Sequence, residues 1–258
     1  MKLKNKFINN KMRIIVVFFL ILLSCNIENE FVRPWEDISK PIIIDVYFLN
    51  EYKIQDIIKD TRVKGIIHKL SEEDCDSYYQ RRKEAYDNNL LFGSYWLPKY
   101  DSDGSKQADI YLEMIGYPYI TEELIALDFE KHKKTGQFIS PYNASLFVER
   151  IFEKTGRYPY IYCGINNLQK LVKSKYKDTF KKCSLWIVAL NKEGNITKYF
   201  DNNNIWSTFS LWQFSCEINC CVNNPEKPCF YKILNMNCYI DYNVFNGSYE
   251  DLLKQWKK

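Results

Sequence analysis

Two acids separated by one aromatic close an apolar run in "ELIALDFEKHKK", residues 123–134. On an extended strand, residues i and i+2 share a face. Asp128 and Glu130 would then stand side by side, roughly 6–7 Å apart at about 3.3 Å per residue. Like charges that close disturb each other's protonation. A pair driven to different pKa values supplies an acid and a base. The plain alternative is two carboxylates that face water or cap a following helix. Two more acids sit in apolar runs: Asp45 in "PIIIDVYFL" (41–49) and Asp241 in "NCYIDYNVF" (237–245). Aromatics lie in similar places. Tyr95 and Trp96 belong to "LLFGSYWLPK" (90–99), Tyr162 to "YPYIYCG" (158–164), and Trp212 and Gln213 to "TFSLWQFS" (208–215). Flat aromatic faces suit sugar rings, and they also fill cores. Alternation sends only one of Tyr95 and Trp96 inward, so core packing is the rival reading for Trp96. Trp212 reads as core and Gln213 as a residue facing a site, with Tyr162 a further candidate lining residue.

The elements that must position these residues read as eight strands. Besides the runs above, "KGIIHKLS" (64–71), "ELIALDFE" (123–130) and "SLWIVAL" (184–190) have strand character. Helical patterns fall between the early ones. "SKQADIYLEMIG" (105–116) stops at Gly116, and "SPYNASLFVERIFEKTG" (140–156) opens with Ser140 as N-cap and Pro141 at the first helical position. The first five strands alternate with helices and the last three barely do. Strand–helix alternation implies a parallel sheet, and eight strands in one domain of this length suggest a barrel. Such a barrel gathers its site at the strands' C-terminal ends. Asp45, Asp128, Glu130 and Asp241 would then converge on one mouth.

The chain has 258 residues, enough for one large domain. Its formal charge of +4 is concentrated at the start. Lys2, Lys4, Lys6, Lys11 and Arg13 precede "IIVVFFLILL" (14–23); the remaining chain is balanced, so nothing calls for a nucleic-acid partner. Ten apolar residues are too few to span a bilayer, which takes about 20. They fit the apolar region of a secretory signal peptide over residues 1–24. "LLSC" (22–25) resembles the lipobox of bacterial lipoproteins, which implies cleavage before Cys25, lipidation of its thiol and anchorage in a membrane facing the periplasm or cell exterior; ordinary signal cleavage nearby is the alternative. Residues 25–40 read as a polar tether, and 41–258 as the catalytic barrel. Eight cysteines remain after Cys25: an even set in an exported chain, which suggests disulfides. Their spacing fits no standard zinc pattern. With only His68 and His132 in the chain, no metal or other cofactor is expected. His68 is expected to pack on the second strand and His132 to sit in a loop.

The ordered motifs resemble the glycoside hydrolase family 25 lysozymes, the Chalaropsis-type muramidases. They are "IDV" (44–46), "GSYW" (93–96), "QADIYLE" (107–113), "LDFE" (127–130), "EKTGRYPYIY" (153–162), "LWIVAL" (185–190), "LWQFS" (211–215) and "IDYNVFNGS" (240–248). The resemblance covers most of 41–254. It implies an irregular TIM-like (β/α)5(β)3 barrel of the α/β class and cleavage of the β-1,4 bond between N-acetylmuramic acid and N-acetylglucosamine in peptidoglycan. It implies Glu130 as general acid, Asp128 assisting at the acetamido group, and Asp45 and Asp241 shaping the charge of the site and holding sugar or water. Three neighbouring acids are expected to raise the pKa of Glu130 and keep it protonated. The chain departs from the family at the mouth: Trp96 replaces a histidine, and "KLSEEDCD" (69–76) lacks a glycine. A glycan-binding lipoprotein without turnover, or a glycosidase acting on another N-acetylated polysaccharide, are the alternatives.

Overall fold

The computed structural model describes residues 32–73, 75–201, 205–220, 229, 231 and 240–257. The signal segment, Cys25, Cys221 and Cys238 lie outside these residues. Among the described residues no helix is long and apolar enough to cross a membrane.

Eight strands form a closed barrel in chain order: β1 (Ile42–Val46), β2 (Val63–Lys69), β3 (Leu91–Trp96), β4 (Leu124–Asp128), β5 (Tyr160–Gly164), β6 (Leu185–Val188), β7 (Leu211–Ser215) and β8 (Asp241–Phe245). Pairing is parallel from β1 to β7, and β8 runs antiparallel to both β7 and β1. Helices α1 (Ile54–Ile57), α2 (Asp76–Asp87), α3 (Gly104–Ile115), α4 (Pro141–Thr155), α5 (Ile165–Val172) and α6 (Lys177–Phe180) lie between strands, and α7 (Tyr249–Trp256) follows β8. This is the irregular α/β barrel that the family resemblance implies; strand–helix alternation alone pointed to a parallel barrel, and the antiparallel β8 departs from it. Ser140 caps α4 by accepting a hydrogen bond from the Asn143 amide at 3.1 Å, as the Ser-Pro opening anticipates.

Alternation along each strand separates two apolar layers. Ile43, Ile67, Leu124, Ala126, Trp186, Leu211 and Phe245 fill the barrel interior. Ile42, Ile44, Ile66, Phe92, Ile125, Ile161 and Trp212 face outward to the helices. The floor is closed by α7, whose Leu252 and Trp256 join the inner layer. Trp256 Nε1 donates to the Phe92 carbonyl at 2.9 Å. Glycines at the floor make room for its ring. A Cβ on Gly93 would lie 3.2 Å from Trp256 Cζ2 and 2.8 Å from Leu124 Cβ.

Three expectations are corrected. The strands are shorter than the apolar runs; β4 ends at Asp128, so Glu130 stands just past it. The alternation nevertheless persists, because the Phe129 amide donates to the Tyr162 carbonyl at 2.8 Å and its ring is buried in the outer layer. The segment 33–40, expected in the tether, packs on the barrel. Trp35 is 1% exposed and stacks on Phe214 at 4.8 Å. The Arg62 guanidinium donates to the carbonyls of Trp35 and Asp37. Among the described cysteines, one disulfide joins Cys220 and Cys229, while Cys75, Cys163, Cys183 and Cys216 are free thiols. Cys163 and Cys183 are held in the apolar outer layer, where they act as small hydrophobes.

Candidate active site

The C-terminal ends of β1 to β7 and the start of β8 form one mouth. Asp45, near the end of β1, lies directly opposite Asp241, the first residue of β8. Asn243, two residues further along β8 and on the same face, donates from Nδ2 to Asp45 Oδ2 at 2.7 Å and to the Ile43 carbonyl. Its own amide oxygen accepts from Trp186 Nε1 at 2.6 Å, so the amide is fixed. A second chain of hydrogen bonds holds Asp241. The Tyr162 hydroxyl donates to Gln213 Oε1 at 2.8 Å, and Gln213 Nε2 donates to Asp241 Oδ2 at 2.8 Å. Tyr162, read as a lining candidate, and Gln213, read as facing the site, therefore both lie within it. One oxygen each of Asp128 and Asp241 is buried without a hydrogen-bond partner among the described residues. Glu130 reaches across to the end of β5, where its Oε1 lies 3.7 Å from where a Cβ added at Gly164 would stand.

Burial dominates the electrostatics. It raises the carboxyl of Asp45 to about 7, against the Asn243 hydrogen bond and with added repulsion from Glu130 and Glu217. It lifts Asp128 well above the ordinary range, helped by Glu130 and Asp45 and opposed by Lys69. Asp241 is lifted similarly, with Asp45 and Glu217 adding to burial. Glu130 is raised too, by its partial burial, and Lys133 opposes the rise. Removal from water is thus the largest cause of the rise at Glu130, and the repulsion it shares with Asp45, Asp128 and Asp241 acts in the same direction. Every carboxyl of the mouth is thus shifted toward its protonated form.

Tyr95 faces the interior. Its ring lies 6.2 Å from that of Tyr162 at 25° and edge-on to Trp186. Trp96, expected as a sugar-stacking candidate, takes the opposite face because Tyr95 occupies the inner one. It is 3% exposed, stacks on Tyr111 at 5.5 Å and donates from Nε1 to Gln107 Oε1 at 3.1 Å. Trp212 lies in the outer core as read, donating to the Ala189 carbonyl. His68 is fully buried beside Arg81. Among the described residues, no three His, Cys, Asp or Glu side chains are grouped to hold a metal ion.

Three residues of the mouth were missed in the sequence. Lys69 ends β2 on the inner face, in register with Tyr95. Counting by two from Ile67 would have found it, as counting from Asp241 would have found Asn243. Glu217 follows β7 in a turn pinned by Asn219, whose Oδ1 accepts from the Cys216 amide and whose Nδ2 donates to the Phe214 carbonyl. Its position has no periodic signature.

The profile of Glycosyl hydrolases family 25 matches residues 44–220. The chain belongs to glycosyl hydrolase family 25. Solved structures agree on the fold. A muramidase from Trichobolus zukalii superposes with a TM-score of 0.61 at 21% identity, over 84% of this chain and 99% of its own. A muramidase from Acremonium alcalophilum gives 0.60 at 17%, over 83% and 97%. A family 25 glycosyl hydrolase from Bacillus anthracis gives 0.61 at 16%, over 85% and 95%. A search among curated protein sequences gives no match. As a family 25 member the chain is a glycoside hydrolase, and the four acids read from the sequence share the mouth of its barrel.

Proposed function

We propose that this family 25 hydrolase is a muramidase that cleaves the β-1,4 bond between N-acetylmuramic acid and N-acetylglucosamine in peptidoglycan, with Glu130 as general acid. The observation that carries this reading is the disposition of the carboxyls. Glu130 is partly open to solvent at the mouth with a raised pKa, while Asp45 and Asp128 lie deeper, 6% and 5% exposed. Glycoside cleavage needs a proton delivered to the leaving oxygen and negative charge near an oxocarbenium-like centre. Glu130 is the group a glycosidic oxygen would meet first. Asp128, with an oxygen unpartnered among the described residues, would receive the acetamido N–H of the sugar. Asp45 and Asp241, each held by an amide, would stabilise positive charge on the ring or position water. Tyr95 and Tyr162 offer their rings to the sugar. The names of the superposing muramidases support the choice of bond. The altered mouth that favoured a binding protein without turnover is less altered than it read, since Trp96 packs outside it.

The test is release of muramic-acid reducing ends from peptidoglycan by the purified 26–258 fragment. Loss of a general acid costs typically 10²–10⁴-fold, so Glu130→Gln should cut the rate by at least a hundredfold while leaving glycan binding measurable. A folded wild type that binds peptidoglycan and never cuts it is a glycan-binding protein instead. The proposal extends to location: export, cleavage before Cys25 and anchorage through its lipidated thiol. Incorporation of labelled palmitate into the wild type, and its loss in Cys25→Ala, is the expected result; label retained in the variant overturns it.

A further inference from the structure

Beside the acids lies a feature that glycosidic chemistry alone does not use. A cleft of about 370 Å³ opens at the ends of β2 and β3, with Lys69, Trp96 and His132 on its walls and Glu72, Glu73 and Lys99 at its rim. It adjoins the mouth, since Lys69 on its lining acts electrostatically on Asp128. Lys69 pairs in register with Tyr95, Trp96 pairs with Leu127 beside Asp128, and His132 stands two residues after Glu130. Its volume falls within the range of small-ligand pockets, about 300–1,000 Å³.

The charges in it sort by depth. On the exposed rim, Lys99 is spent on Glu72, an ion pair at 2.7 Å, with Glu73 nearby. Deeper, two part-buried nitrogen groups are left over. Lys69 makes no ion pair within 4 Å among the described residues and its nearest acid is the buried Asp128, whose charge it favours; the His132 side chain lines the cleft beside it. Lys131, Lys133 and Lys134 flank His132 on the same loop. A lysine ammonium can only donate, and an imidazole nitrogen can donate. The complement is an anion with planar oxygens.

We propose that this cleft is a carboxylate-binding subsite, with Lys69 and His132 as its recognising residues, that takes the acidic side arm of the muramoyl sugar. The proposal rests on the muramidase reading and deepens it. The muramoyl ring carries a lactyl ether that leaves the glycan sideways, either as a free carboxylate or extended by a peptide bearing its own carboxylates. With the scissile oxygen at Glu130, that arm needs a cationic place outside the acid cluster. The ends of β2 and β3 supply one, and glucosamine has no group to fill it.

The test measures binding to Glu130→Gln by calorimetry, so that turnover is not required. Three muramoyl–glucosaminyl disaccharides are compared: one with a free lactyl carboxylate, one with that carboxylate converted to a methylamide, and one extended by the stem peptide. The charged ligands should bind at least tenfold more tightly than the methylamide, and whichever binds better identifies the source of the carboxylate. Lys69→Met and His132→Leu should bring that ratio toward one, and Lys69→Arg should restore it. Equal affinity for all three ligands overturns the subsite and leaves the muramidase reading standing. Binding of a chitooligosaccharide with none of the three bound overturns both. Should a variant fail to fold, the comparison of ligands in Glu130→Gln alone decides.

Discussion

A carboxyl group withdrawn from water keeps its proton to higher pH, and that has a thermodynamic sign. Burial pushes the Asp45 carboxyl from an ordinary 3.8 up to about 7 in the folded chain. Between those values the folded state holds a proton that the unfolded chain has released, so its contribution to stability is full below about pH 4 and is lost as pH rises toward 7. Asp45→Asn removes that loss and still offers an oxygen to Asn243. The variant should be more stable than the wild type at pH 8 by a few kcal/mol, on the order of the shift at about 1.4 kcal/mol per unit, with the difference vanishing near pH 4. Denaturant melts at both pH values measure it, and the same variant should lose activity, since active sites commonly hold strained groups at the expense of stability. At this scale the acids were legible in the sequence because each ends or interrupts an apolar run. The side of the barrel that Trp96 takes was not. Both faces of a barrel strand are apolar, so "GSYW" contains no polar alternation to choose between Tyr95 and Trp96. Cysteine pairing was hidden as well, because it depends on distances across loops that spacing does not encode.

At the scale of elements, the order and type of strands and helices followed from periodicity and from Ser-Pro and Gly boundaries, while their ends did not. Apolar runs continue past the last paired residue into the mouth, which is why the expected strands overshoot. The tight floor was equally unreadable. Gly93 looks like a strand weakness, yet it sits where β4 and the Trp256 ring approach the chain. Gly93→Ala would push a methyl to 2.8 Å from Leu124 Cβ and 2.9 Å from its carbonyl. Overpacking of this kind costs about 1–3 kcal/mol. A melting temperature equal to the wild type would show that the floor has slack.

For the whole molecule, closure depends on two distant parts. The floor plug is one: Trp256→Ala empties an inner-layer site and should destabilise the fold by about 3–5 kcal/mol, read by chemical denaturation, with hydrogen exchange accelerating first in the strands at the barrel floor. The packing of 33–40 is the other. Trp35 extends the folded body upstream of the first strand, through aromatic contacts with β7 residues more than 170 positions away. A polar-looking segment gave no sign of this, because one tryptophan among charges carries no periodicity.

The closing strand also sets an order of events during synthesis. The last partner of β1 is β8; Asn243 reaches Ile43 across a separation of 200 residues. At about 5–20 residues per second, the edge of β1 waits on the order of 10–40 s for its antiparallel neighbour to be made. Throughout that interval an apolar, unpaired strand edge is available to any other chain. What shields "PIIIDV" while it waits guards against a kinetic hazard that the finished barrel no longer shows.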